Sequence, residues 1–89
     1  MGYSKENLDQ QIRKTFADTF MEQAPGLTLP DLTDGTVLLE TGLDSLGFAI
    51  LITRLEETLD YDPFTRSDEP FYPRTYGELL SFYFKFQPE

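Results

Sequence analysis

The chain has 89 residues, no cysteine and no histidine, and 16 acidic against 7 basic side chains give it a formal charge of −9. A chain of that length buries only about 60% of its unfolded surface, which allows one small domain over residues 1–89 but no deep enzymatic cleft. The charge excludes nucleic acid and anionic membranes as partners, and either steers the protein to a basic protein surface or serves solubility alone.

Leu8, Ile12, Phe16 and Phe20 recur every fourth residue with polar residues between them, an amphipathic first helix of about four turns. Ser4 or Asn7 can cap it, and Pro25-Gly26 ends it. The segment to Leu43 holds Pro30, Asp34-Gly35 and Gly42 and reads as a long loop. A loop of that length in a small domain is either pinned or functional. Leu27, Leu29, Leu32, Val37, Leu38 and Leu39 are the expected pins, with a turn of helix over Thr36-Val37-Leu38-Leu39.

Residues 45–59 follow a helical pattern, with Asp44 as N-cap and Ser45 as first helical residue. At about 100° per residue, Phe48, Leu51, Ile52, Leu55 and Leu59 share the core side. Leu46, Ile50, Thr53 and Glu57 fall opposite, with Gly47 and Arg54 nearby. The three prolines between Asp62 and Arg74 leave little room for a further helix, and only residues 66–70 are expected to hold a turn. Thr75-Tyr76-Gly77-Glu78 fits a capping box and opens a last helix through Phe86, with Pro88 beyond its end. The aromatics crowded between Phe71 and Phe86 either pack the core or border a space between helices.

A helix start offers unpaired backbone N–H groups and the positive end of the macrodipole, so a phosphodiester on Ser45 would sit in favourable electrostatics. Ser45 is no autonomous nucleophile, because without histidine nothing is arranged to take its proton. An all-oxygen metal site is equally hard to build: Asp60-Tyr61-Asp62 lacks the spaced acids and glycine of a calcium loop. No metal site and no enzymatic activity are expected. No apolar run approaches the ~20 residues of a membrane span, and no signal-peptide core is present. Met1-Gly2 is followed by Glu6 where a myristoylation signal needs Ser or Thr. The expected location is cytoplasmic, without membrane insertion, as a monomer.

Asp44-Ser45-Leu46, with Gly42 two residues before, resembles the mark of the acyl carrier proteins, and the order of elements is similar along most of the chain. The resemblance implies an all-α, three- to four-helix bundle with a long first loop. It also implies 4′-phosphopantetheine from coenzyme A esterified to Ser45, with acyl groups held as thioesters on its terminal sulfur. Asp44 would cap and orient, with Gly42, Leu43 and Leu46 flanking the arm. Partners would be a phosphopantetheinyl transferase, an acyl-loading ligase or acyltransferase, and downstream biosynthetic enzymes. They would dock on Leu46, Gly47, Ile50, Thr53, Arg54 and Glu57. Carriers of fatty-acid synthesis tend to present carboxylates where Ile50 and Arg54 stand here, which fits a specialised pathway. The alternatives are an acidic helical interaction module without a prosthetic group, or a freestanding aminoacyl or peptidyl carrier, although the Gly-Gly-x-Ser usual in the latter is absent.

Overall fold

Ser4 begins the fold in extended backbone, and its hydroxyl accepts from the Asn7 N–H at 3.1 Å. That cap opens α1 over Lys5–Gln23, whose 19 residues outrun the four turns expected because Ser4, not Asn7, starts it. Leu8, Ile12, Phe16 and Phe20 are all buried, as the four-residue stripe requires. Thr15 and Thr19, buried on the same helix, each donate their hydroxyl to the carbonyl four residues back at 2.8 Å, which satisfies them locally.

The computed structural model describes residues 2–67 and 72–88. Among these residues the chain forms four α-helices and a single 3-10 turn, with no strand beyond an isolated bridge between Val37 and Thr75. No helix among them is long and apolar enough to cross a membrane.

The loop after α1 is held mainly by backbone. Leu38 N–H donates to Arg74 C=O at 3.0 Å, Tyr76 N–H to Thr36 C=O at 2.9 Å, and Gly77 N–H to Asp34 C=O at 3.0 Å. Those bonds hold residues 36–38 as an isolated bridge to Thr75, so the helical turn forms later than expected, at Leu38–Glu40. They share the pinning with only some of the six apolar side chains expected to do it. Leu32 and Leu38 are buried and Val37 half-buried, but Leu27, Leu29 and Leu39 stay exposed.

Helix α2 spans Ser45–Leu59 and ends where the Asp60 N–H donates to Glu56 C=O at 2.9 Å, with Asp60 left-handed at φ 64°. Leu51, Leu55 and Leu59 are buried, and Phe48 and Ile52 pack partly buried against them. Helices α1 and α2 run antiparallel. Phe20 lies near Gly42 just before α2, and at the other pole the Tyr3 hydroxyl donates to the Leu59 carbonyl at 3.2 Å.

A short α3 occupies Pro63–Arg66, earlier than the turn expected at 66–70, part of which lies outside the described residues. Proline was weighed there as a breaker, yet at the first helical position its missing N–H costs nothing. Asp62 caps this turn by accepting from the Phe64 N–H at 2.8 Å.

The expected capping box opens α4, Tyr76–Lys85: Glu78 N–H donates to Thr75 Oγ1 at 3.2 Å, and Thr75 N–H donates to Glu78 Oε1 at 3.0 Å. The helix stops one residue short of Phe86, which caps it. It runs antiparallel to α1, for the Tyr76 hydroxyl donates to the Asp9 carboxylate and Gln87 Nε2 donates to Tyr3 C=O at 2.9 Å. Tyr76, Phe82 and Tyr83 are buried, while Tyr72 and Phe84 are exposed; Phe71 lies outside the described residues. Phe64 meets Phe82 at 4.9 Å and Tyr83 at 6.1 Å between centroids, and Tyr61 meets Tyr83 at 6.0 Å. These rings pack the interior between α3 and α4, the first of the two uses the sequence left open.

Candidate functional site

Gly42, at φ 111°, turns the chain into the approach to α2 in a conformation that side-chain-bearing residues rarely adopt. Leu43 follows, fully buried, and anchors the approach to the core instead of flanking an arm as expected. Asp44 is extended and its Oδ1 accepts from the Gly47 N–H at 2.8 Å, while its carbonyl accepts from the Phe48 N–H at 2.9 Å. Ser45 is then the first helical residue and exposed, with Leu46 exposed beside it.

With Gly47 and Phe48 satisfied, the amides of Ser45 and Leu46 are the ones the helix leaves without acceptors of its own. They stand at the positive end of α2, and no acidic residue occupies its first turn. The donor set suits a phosphodiester on the Ser45 hydroxyl: two amides, a helix N-terminus and an open approach. Asp44 adds a negative charge nearby, but that carboxylate is turned to Gly47.

The proposed docking positions separate in the structure. Leu46, Thr53 and Glu57 are exposed on α2, and Ile50 is half-buried beside them. Gly47 does not belong to this surface: it is buried, and a Cβ there would stand 2.5 Å from Leu43 Cδ1. Arg54 is half-buried and engaged with α1, its Nη1 2.7 Å and Nη2 3.0 Å from the two Glu22 oxygens and Nη1 3.3 Å from Thr19 Oγ1. Those hydrogen bonds and the guanidinium charge hold the Glu22 carboxyl below its ordinary value. Residues 45–53 carry no charge at all, and the acids Glu56, Glu57 and Asp60 gather in the last turn around a groove with Thr53 and Tyr61.

The Glu22 partnership with Arg54 is not legible in the sequence. Glu22 is one of many acids on a polar face, and nothing in spacing links it to Arg54 across 32 positions. Leu27, an expected pin of the loop, instead stays exposed, with its Cδ1 2.7 Å from where a Gly42 Cβ would be.

A family model described as the phosphopantetheine attachment site matches residues 10–64, a span that takes in most of α1, the loop, α2 and the start of α3. The chain belongs to this family. No curated protein and no solved structure matches it. Membership makes this four-helix bundle a carrier of acyl-carrier type, whose cofactor is covalently attached 4′-phosphopantetheine. Such carriers meet phosphopantetheinyl transferases and biosynthetic enzymes in turn.

Proposed function

We propose that Ser45 is the attachment point of the prosthetic group and that the chain carries acyl groups between the enzymes of a specialised biosynthetic pathway. The observation behind this reading is an exposed serine at the first position of α2, inside the matched segment, with two unpaired amides beside it. When bound, the group supplies a thiol on a long flexible tether, which raises the effective concentration of cargo at each partner's active site. The chain's own part is to hold the phosphate and present the arm. Ser45 and Leu46 amides meet the phosphate's charge, and Asp44 fixes the first turn of the helix through Gly47. Because the chain holds no histidine, the base that removes the Ser45 proton during loading comes with the transferase.

The outer face of α2 supports a dedicated partner. Leu46, Ile50 and Thr53 make an uncharged surface beside Ser45, and Arg54 is already paired within the fold. A partner that relied on a row of carboxylates along this face would find them only at Glu56, Glu57 and Asp60.

The test is intact mass spectrometry before and after incubation with coenzyme A and a broad-specificity phosphopantetheinyl transferase. The expected result is a gain of one phosphopantetheine on the wild type and none on Ser45→Ala. No gain with several transferases would overturn the reading and leave an acidic interaction module in its place.

A further inference from the structure

The end of α1 sets a leucine beside the site with unusual care. The Ala24 N–H donates to Phe20 C=O at 2.8 Å, Gly26 takes φ 89°, and the Leu27 N–H turns back to Ala24 C=O at 3.2 Å. This turn carries the Leu27 side chain over Gly42, where a Cβ would meet Leu27 Cδ1 at 2.7 Å. Gly42 is demanded by its φ of 111°, and the end of the Leu27 side chain lies against it. Yet Leu27 keeps 57% of its surface exposed, more than Leu29 on the same loop. Leu27 thus lies against the segment that leads into Ser45 without being buried in the core.

The surroundings identify its occupant. Leu27 lies against Gly42, three residues before Ser45, and Leu46, 65% exposed, follows Ser45 directly. Leu27 therefore lies on the loop segment leading into Ser45, and Leu46 on the helix that follows it. In 4′-phosphopantetheine the carbon bearing two methyl groups is separated from the phosphate oxygen by a single methylene, and hydroxyl and amide groups follow. The branched apolar part of the arm is thus at its attached end, within covalent reach of the residues around Ser45, while the thiol lies far beyond. We infer that Leu27 is the loop-side contact for the dimethyl segment of the arm, an inference that rests on Ser45 being the attachment point. Leu27 then restrains the near end of the arm by apolar contact and leaves the far end free to reach partner enzymes.

The test uses protein whose mass shows complete loading, so that failure of attachment is seen before the contact is examined. In leucine-methyl-labelled protein, the loaded form should show nuclear Overhauser contacts between the arm's two methyls and the Leu27 methyls. The Leu27 methyl signals should shift on loading and those of Leu29 should not. In loaded Leu27→Ser, an exposed substitution, the arm's methyl signals should sharpen while the backbone amide spectrum keeps its pattern. Full loading with no such contact would overturn the inference, as would a Leu27→Ser variant that loads more slowly but whose arm signals match the wild type; the latter would make Leu27 part of the transferase's docking surface instead.

Discussion

Arg54 of α2 grips Glu22 of α1 with both terminal nitrogens, at 2.7 and 3.0 Å from the two carboxylate oxygens. The pair bridges the helices flanking the long loop, and it withdraws from α2 the cation that the sequence placed on its outer face. Arg54→Gln and Glu22→Gln should each lower the melting temperature slightly, and the double variant should fall by less than their sum. High salt should shrink the difference from wild type, since both groups reach solvent. The Glu22 pKa is lowered in the fold, so its contribution is present above the ordinary value of 4.5 and is lost as pH falls through the folded value. Thermal melts from neutral pH down through that window should show the wild type and Glu22→Gln converging.

Two neighbouring tyrosines should respond oppositely to loss of their hydroxyls. The Tyr61 hydroxyl donates to Tyr83 C=O at 2.7 Å, whereas the buried Tyr83 hydroxyl has no hydrogen-bond partner among the described residues. Tyr61→Phe should cost about 1 kcal/mol, and Tyr83→Phe should be neutral or stabilising by about 1 kcal/mol, because it removes an unsatisfied buried group. Urea unfolding followed by circular dichroism measures both. Burial pushes the Tyr61 pKa up to about 12, so its contribution holds below the ordinary value of 10 and is lost as pH rises through 12. In an alkaline titration, tyrosinate absorbance from Tyr61 should rise together with loss of helicity.

Gly77 and Gly35 differ in what a methyl group would meet. A Cβ at Gly77 would stand 2.9 Å from the Asp34 carbonyl oxygen, the acceptor that ties the loop to α4, while nothing lies within 4 Å of one at Gly35. Gly77→Ala should therefore destabilise by about 1–3 kcal/mol before the gain of up to about 1 kcal/mol in helix propensity, a net loss. Gly35→Ala should be neutral or slightly stabilising. Thermal melts of the two variants side by side give the comparison, and a Gly77→Ala protein as stable as wild type would show that the loop can yield at Asp34.

The helices that carry a clear period are readable from the residues, and so is the place of Ser45 at the start of α2. The Leu8–Phe20 stripe repeats every fourth residue, and the Asp44 cap and the Thr75–Glu78 box each encode their structure within four residues. What escaped depends on partners distant in sequence. The loop's leucines look alike as letters, but only Leu32 and Leu38 bury, and Leu38 is held by a backbone bond to Arg74, far along the chain. Pro63 reads as a breaker until Asp62 is seen capping the turn it begins. Gly47 falls near the outer face by helical arithmetic and is covered because Leu43 folds back upon it. Arg54 likewise sits on a polar face and finds an acid 32 positions earlier.

Tyr3 and Gln87 are tied to each other at the Leu59 pole, and Ser45 opens the opposite end of a helix whose 15 residues span roughly 21 Å. A fluorophore or surface anchor joined beside Tyr3 or Gln87 thus hangs from the pole away from the serine. Immobilised this way, every molecule offers the same working end to solution, which suits the protein to side-by-side capture of whichever enzymes recognise it.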